Sequence, residues 1–294
     1  MNNHAHVLKT KEGIDNNFIC NSLECKDFSI YNTGMAMPKL NQDICKRIPV
    51  DFPTYDEQEK IGNYFRDIDY FITLHQRKLD QMKKLKKYFL QNMFPAKGEK
   101  VPRIRFKGFT GDWEQRKLGE LMEVGSVKRV HQSDWRDSGV RFLRARDVVA
   151  EYKNEQPDDY LYIDERMYNA YSALSGKVQK GDLLVTGVGT IGIPMLIKSD
   201  KPVYFKDGNI IWFKNKNAIN GDFFYYAFIS SQIQNFIKEA AGTGTVGTYT
   251  IASGKKHLSH CRLTEKSKNK SVLILVVSIT SSPFISVSSI SSRR

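Results

Sequence analysis

Apolar residues recur every three or four positions over residues 61–93, and this rhythm predicts one long amphipathic helix. We expect the helix to occupy residues 54–95, after Pro53, with Thr54 or Asp56 as its N-cap. At a rise of about 1.5 Å per residue it would be a rod roughly 50 Å long, typical of a spacer or a docking surface. The seam consists of Ile61, Phe65, Ile68, Ile72, Leu79, Met82, Phe89 and Met93, with His75 and Lys86 at its two polar positions.

A second region, residues 101–256, mixes β-rich segments with one apolar, helix-like stretch over 222–240. The β-rich segments are VRFLRARDVV, GDLLVTGVG, PMLIKSD and PVYFKDGNIIWFK. The pattern predicts an α+β domain of ordinary size. Trp113 and Trp135 in this region are expected to be packing anchors rather than platforms for stacked bases.

Residues 1–50 are too few to bury a core alone, and they hold a strand-like run (HAHVL), a helical stretch over 18–25 and the turn-rich YNTGMAMPKLN. They resemble part of the second region when NNHAHVLKTKEGIDNNFI is laid over DGNIIWFKNKNAINGDFF. The matches include Lys9 with Lys214, Ile14 with Ile219, and Phe18 with Phe223. We therefore interpret residues 1–50 as the tail of a domain whose complete homologue is 101–256.

The 294 residues carry a formal net charge of +13, which favours a polyanionic partner, because clustered Lys and Arg release phosphate counterions. A hydrophobic content of 40% indicates a globular chain of one large or two medium domains. The four cysteines form no CxxC pair and VLILVV is too short to cross a membrane, so we expect a reduced, cytoplasmic chain without export signal or zinc.

The run GVGTIG at 187–192 fits the dinucleotide-binding pattern G-x-G-x-x-G. That chemistry needs a helix N-terminus after the glycines to hold a pyrophosphate, whereas IPMLIKSDKPVYF favours a second strand. We therefore expect a tight turn between strands, and no cofactor. HExxH, paired-carboxylate and Cys-His signatures are absent from the sequence, and His75 is interpreted as a partner contact rather than a metal ligand.

The chain resembles the specificity subunit of type I restriction-modification enzymes. The resemblance covers residues 1–256 and lies in PTYDEQEKIG, QRKLDQMKKLKKYFLQNMF, PRIRFKGFTGDWEQRKLGELMEV, GDLLVTGVGTIG and GTGTVGTYTIASGKK. It implies two target-recognition domains that each read half of a split DNA site, and two long antiparallel helices that set the spacing. It also implies that methyltransferase subunits dock on this frame, that motor-nuclease subunits join them, and that the specificity subunit performs no chemistry.

Polar and glycine residues of the second region are the candidate DNA contacts, with solvated surface residues as the alternative interpretation of each. Arg can hold guanine with two hydrogen bonds, and Gln132 or Asn209 could hold adenine. The candidates are Arg129, Gln132, Arg141, Arg144, Arg146, Gly189, Thr190, Lys198, Lys206, Asn209, Thr243 and Thr245. The helix seam, including His75, is the candidate partner surface.

The composition changes after Lys256, since residues 257–294 are rich in Ser, Ile and Val and contain no Gly, Tyr or Trp. In a shifted reading frame, an allowed choice of codons gives IGSYFSRLDNFVTLHQRKLDKLKK, which repeats TLHQRKLD of the visible helix. We infer a frameshift at or before Lys255–Lys256 that replaced a second helix with a disordered tail. A nucleotide sequence without this alternative frame after Gly254 would refute the inference.

These patterns predict a DNA specificity subunit made of a remnant domain (1–50), a spacer helix (54–95), a complete recognition domain (101–256) and a tail (257–294). It would bind half of a split target and dock methyltransferase subunits, either as a half-subunit that dimerises through its helix or as an inactive remnant. The alternative is an interaction protein that sequesters methyltransferase subunits and reads no DNA.

Overall fold

The computed structural model describes residues 7–32, 39–241, 247–256, 258–261 and 290–292, the last two segments by their backbone only. The chain divides into two compact units, residues 1–85 and residues 86–294. It is an α+β protein, as predicted. No helix among the described residues is long and apolar enough to cross a membrane.

The first unit is helical in its described part. It contains α1 (Asn16–Glu24), a 3-10 turn (Phe28–Tyr31), α2 (Gln42–Cys45) and most of α3 (Tyr55–Asn92), the long predicted helix. The described part contains no strand, so Val7 and Leu8 of the strand-like HAHVL run lack a pairing partner; they are exposed coil, contrary to expectation. Residues 4–6 of that run lie outside the described part.

Helix α1 packs against the beginning of α3. The backbone N–H of Asp15 donates to Oε1 of Gln58 at 3.2 Å, and the buried Gln58 donates in turn to the carbonyl of Pro53 at 3.0 Å. Gly62 of α3 faces α1 so closely that an added Cβ would lie 2.3 Å from Oδ1 of Asp15. The contact between the two helices therefore requires glycine at this position.

The two copies of the sequence repeat begin their helices at matching positions. Asp15 caps α1 by accepting a hydrogen bond from the N–H of Phe18 at 2.8 Å. Asn220 caps α7 (Gly221–Phe228) by accepting from the N–H of Phe223 at 3.0 Å. The aligned residues thus share one local structure, in which a side-chain oxygen satisfies an otherwise unpaired N–H of the first turn.

Short strands and helices alternate in the second unit. The strands are β1 (Ile104–Phe106), β2 (Glu114–Lys117), β3 (Glu123–Gly125), β4 (Val140–Leu143), β5 (Leu161–Ile163), β6 (Leu183–Thr186), β7 (Pro194–Leu196), β8 (Val203–Phe205), β9 (Ile210–Lys214), β10 (Leu258–Cys261) and β11 (Ile290–Ser292). The helices after α3 are α4 (Leu118–Leu121), α5 (Ala145–Lys153), α6 (Glu165–Ser175), α7, α8 (Ser231–Ala240) and α9 (Ile251–Lys256).

Two sheets of three or four strands form the centre of this unit. One is antiparallel in the order β3-β9-β6-β7, and the other has the order β5-β4-β8, with β4 and β8 parallel. Alternate residues of β6 and β9 enter opposite cores: Leu184 and Trp212 contribute to one, and Leu183 and Phe213 to the other. Since both faces of these strands are buried, their sequences read as continuous apolar runs rather than alternating ones.

Two segments differ from the sequence-based expectation. VRFLRARDVV is a strand only to Leu143 and then becomes helix α5, because Asp147 accepts from the N–H of Arg144 at 2.7 Å and caps the first turn. The apolar stretch over 222–240 is two helices, α7 and α8, which are interrupted at Ile229 and Ser230.

The second unit begins at Lys86, inside α3, rather than at residue 101. Its early residues join a cluster of aromatic rings in which Phe94, Trp113 and Phe223 have centroids 5.7–6.3 Å apart. Lys86 also lies over the ring of Tyr226, at 5.6 Å from the centroid. Trp113 is therefore a packing anchor, as predicted.

The predicted seam of α3 is largely exposed to solvent. Ile72 is 61% exposed, and Phe65, Leu79, Met82 and His75 are also exposed. Ile61, Ile68, Phe89 and Met93, nearer the ends of the helix, are half-buried. The middle of the helix thus presents apolar side chains without cover from the described residues.

Two short strands occur where the sequence predicts a disordered tail. β10 pairs antiparallel with β2, and β11 pairs antiparallel with β1. Unpaired backbone groups of an edge strand can bind an extended segment whatever its side chains, so this pairing does not require an evolved sequence. Residues 257, 262–289 and 293–294 lie outside the described part.

Candidate nucleic-acid interface

Four loop segments of the second unit meet where β6 ends and β9 begins, and we call them the basic loop edge. They are residues 128–136, the β8–β9 turn 206–209, the β6–β7 loop 187–192, and residues 247–250. The N–H of Gly187 donates to the carbonyl of Asn209 at 2.8 Å, and the N–H of Tyr249 donates to the carbonyl of Gly187 at 2.9 Å. Nε of Arg129 donates to Oδ2 of Asp207 at 2.8 Å. Backbone and side-chain bonds thus connect all four segments.

Cations lie over aromatic rings along this edge. Nζ of Lys206 is 5.6 Å from the ring centroid of Trp135, and Nζ of Lys128 is 4.3 Å from that of Tyr171. Trp135 packs against the buried Phe142, which agrees with the prediction that it is a packing anchor. The rings hold the ammonium groups at the surface, where each can contact an anion.

Residues 128–136 are fixed to the sheet by Tyr204. Burial raises the pKa of this phenol to about 12, so the hydroxyl remains protonated and donates to the carbonyl of Lys128 at 2.8 Å. Gln132 is exposed at the start of a 3-10 turn (Gln132–Asp134) in the same loop. A loop that is held at its base and exposed at its tip can place side chains in a groove of a nucleic acid.

The GVGTIG run is a turn between the antiparallel strands β6 and β7, as predicted. Gly189 and Gly192 have φ of +76° and +75°, which favour glycine, and a Cβ on Gly187 would lie 2.7 Å from the carbonyl oxygen of Tyr249. Thr190 is exposed, and its carbonyl accepts from the hydroxyl of Thr186. Since a strand follows the glycines, the loop lacks the helix N-terminus that a pyrophosphate needs.

Arg141, Arg144 and Arg146 belong to one ion-pair network, and only Arg146 of the three is exposed. Arg144 is only 12% exposed and donates from Nε to Asp147 at 2.9 Å and from Nη1 to Asp159 at 2.9 Å. Arg141 donates to Asp147 at 3.2 Å and also to the carbonyls of Phe142 and Leu161. Arg146 is exposed and pairs with Asp159.

Hydrogen bonds outweigh burial in setting the pKa values of this network. Burial would lower the pKa of Arg144, but hydrogen bonds with Asp147 and Asp159 outweigh burial and raise it. Burial would likewise raise the pKa of Asp147, yet hydrogen bonds from Arg144 hold it below its ordinary value. The donors of Arg141 and Arg144 are used within the protein, so the structure favours an organising role over the expected DNA contact.

The remaining candidates are Lys198, Thr243 and Thr245. Lys198 is exposed and pairs with Glu151 at 3.4 Å. Thr243 and Thr245 lie outside the described residues. Lys128 and Arg136 also belong to the basic loop edge, but they are not among the candidates predicted from the sequence. The signal that could have indicated them is the density of basic residues in KRVHQSDWR. Within the described part of the chain, no group of three His, Cys, Asp or Glu residues could hold a metal ion.

Comparisons with known proteins agree with this architecture. A family model described as Type I restriction modification DNA specificity domain matches residues 1–84. A Haemophilus influenzae protein assigned as a type I restriction enzyme specificity subunit is 25% identical over 231 residues, covering 77% of this chain and 56% of the relative. The MjaVIII specificity subunit of Methanocaldococcus jannaschii is 26% identical over 236 residues, covering 74% of this chain and 52% of the relative.

The fold is also similar to a crystal structure of a type I restriction-modification S subunit from M. genitalium. The TM-score is 0.54 at 14% identity, and the alignment covers 87% of this chain and 63% of that one. The chain spans about half the length of the curated relatives it matches.

Proposed function

Because the chain belongs to the specificity-subunit family of type I restriction-modification systems, we propose that it reads one half of a split DNA target. It contributes binding rather than a chemical step and uses no cofactor. We also propose that it works in the cytoplasm, because that is where a subunit that reads the cell's genome would meet its DNA.

The basic loop edge is the observation that carries this proposal. Lys128, Arg129 and Arg136 of segment 128–136 meet Lys206 of the β8–β9 turn there, and all but the half-buried Lys206 are exposed. Cations on loops suit phosphate contacts, and side chains such as Gln132 can turn to base edges. We assign the recognition domain to residues 101–256 on this basis.

The partners we propose are methyltransferase subunits, which dock on α3, and a restriction motor subunit that joins through them. The exposed middle of the α3 seam supports a docking role, because contiguous apolar side chains in water favour burial against another protein. The same seam supports a homodimer. Two identical recognition domains would then face a symmetric, interrupted DNA site.

We further propose that this chain is a half-subunit. The matched helix caps of Asp15 and Asn220 support the interpretation of residues 1–50 as the tail of a first recognition domain. The frameshift at or before Lys255–Lys256 stays a prediction, which the nucleotide sequence tests.

A genome-wide map of adenine methylation tests the function. Cells carrying the cognate methyltransferase subunit are compared with and without the full chain, with expression confirmed. We expect a new, symmetric, interrupted motif only with the chain, and the loss of that motif in a Lys128→Ala, Lys206→Ala variant that still binds the methyltransferase. Methyltransferase binding without any motif would instead support the sequestering protein.

A further inference from the structure

The arginines of the recognition domain differ in which of their donors are available. Arg129 is 67% exposed and is held through Nε alone, by Oδ2 of Asp207 at 2.8 Å. Within the described residues, its Nη1 and Nη2 groups make no hydrogen bond. Arg144 uses Nε, Nη1 and Nη2 internally, and Nη2 of Arg146 is bound by Asp159. Among these three, only Arg129 is anchored while both of its terminal nitrogens stay available.

This anchoring leaves a particular edge of the guanidinium exposed. The group is planar and presents two donor edges, one containing Nε and one containing both terminal nitrogens. A carboxylate on Nε fixes the plane and directs the terminal edge outward. Two parallel N–H donors match O6 and N7 of guanine in the major groove, and other base edges in that groove do not offer two adjacent acceptors.

Asp207 is suited to hold Arg129 in place. Its side chain is only 16% exposed, and it lies in the turn between β8 and β9, beside Gly208 with φ of +73°. The turn is attached to the sheet through the N–H of Lys206, which donates to the carbonyl of Leu143 at 2.9 Å. An arginine side chain loses conformational entropy when it becomes ordered on binding. Because the fixed carboxylate of Asp207 already orders Arg129 in the free protein, DNA binding carries a smaller entropy cost.

We infer that Arg129 recognises a guanine of the DNA half-site and that Asp207 is its positioning residue. The inference rests on the proposed function, since it concerns which base the same interface reads. It also distinguishes Arg129 from a phosphate contact, which would carry no sequence information.

The test uses the full chain with its cognate methyltransferase subunit and a random DNA library, followed by affinity measurements on the selected site. Each guanine is replaced in turn by 7-deazaguanine, which lacks the N7 acceptor. We expect wild type to lose about tenfold or more in affinity at one position. Arg129→Ala should lose nothing further there, while keeping its preference at all other positions.

Asp207→Ala and Asp137→Ala form a matched pair, because each removes one negative charge and Asp137 is exposed near the same loop. Both should bind random DNA as tightly as wild type or more tightly, since a charge that repels phosphate is gone. Only Asp207→Ala should lose discrimination, several-fold, at the guanine that Arg129 reads. A purely structural role for Asp207 predicts no such split.

Two results overturn the inference and are distinguishable. If a motif is selected but Arg129→Ala weakens all sequences equally, or the half-site contains no guanine, Arg129 is a phosphate contact. If wild type selects no motif at all, the proposed DNA-reading function fails, and the assignment of Arg129 fails with it. Thermal unfolding of each variant verifies that the exposed substitutions leave the fold intact.

Discussion

Replacing Arg144 with alanine separates folding from DNA binding, because this side chain is only 12% exposed and is bound to Asp147 and Asp159 rather than lying on the basic loop edge. The residue before it, Leu143, accepts the hydrogen bond that attaches Lys206 and its turn. We expect Arg144→Ala to destabilise the second unit and to affect DNA binding only through that loss. Arg146→Ala, two residues further along the chain and exposed, is the matched control.

The structure sets the size of the effect. The substitution removes two charge-assisted bonds to Asp147, at 2.9 and 3.1 Å, and leaves a carboxylate that is 2% exposed. Such bonds contribute about 1.5–3 kcal/mol each, and breaking a buried ion pair costs about 3–5 kcal/mol. Asp147 keeps Arg141 at 3.2 Å and the backbone N–H at 2.7 Å, so we expect a loss near the lower limit, about 3 kcal/mol.

The assay is thermal and urea unfolding of the full chain at several pH values. A loss of about 3 kcal/mol corresponds to a fall in Tm of roughly 6–12 °C for a unit of this size. Because the folded pKa of Asp147 lies below its ordinary value of 3.8, its stabilisation is complete above that value and is lost as pH falls through the folded pKa. The difference between wild type and Arg144→Ala should therefore shrink below about pH 4.

The reasoning is refuted if Arg144→Ala unfolds within about 1 °C of wild type, or if Arg146→Ala is equally destabilising. An exposed pair such as Arg146 with Asp159 should change stability little. A stable Arg144→Ala protein with altered sequence preference would restore Arg144 as a DNA contact.

Two further substitutions test the packing. Gly62→Ala should destabilise the first unit, because the added Cβ would lie 2.3 Å from Oδ1 of Asp15. This clash should outweigh the gain of about 1 kcal/mol that alanine gives a helix relative to glycine. Amide hydrogen exchange in α1 should become faster, and an unchanged exchange rate would contradict the contact. Asp182→Ala should lower the free energy of unfolding, measured in urea, by about 3–6 kcal/mol. The reason is that the N–H groups of Gln179 and Asn215 and Nε1 of Trp212 lose their acceptor. A decrease below about 1 kcal/mol would contradict this reasoning.

Much of the fold could be predicted from local patterns, whereas the interface could not. The seam of α3 follows from its periodicity, because the period of a helix decides which side chains share a face. Strands β6 and β9 follow from short continuous apolar runs, which are typical of strands buried on both faces. Helix α5 could not be predicted, because its start depends on a single carboxylate, that of Asp147, inside an otherwise β-type sequence. The interruption between α7 and α8 could not be predicted either, because no strong helix-breaking residue marks it in the sequence.

The candidate site required the tertiary structure. Arg129 and Asp207 are separated by 78 positions along the chain, and only the pairing of the sheets brings them together. Arg144 and Arg129 look alike in sequence, as two basic residues among strands and turns. Burial and ion-pair partners distinguish them, and neither property has a local signal.

The shared caps of α1 and α7 have a consequence for how such chains can change. Each helix start is specified by a side chain within three residues of the N–H that it satisfies, so it does not depend on the domain upstream. A recombination event that joins a different upstream sequence at this position would leave the helix start intact. The repeat therefore gives this chain two helix starts that each tolerate a different preceding sequence.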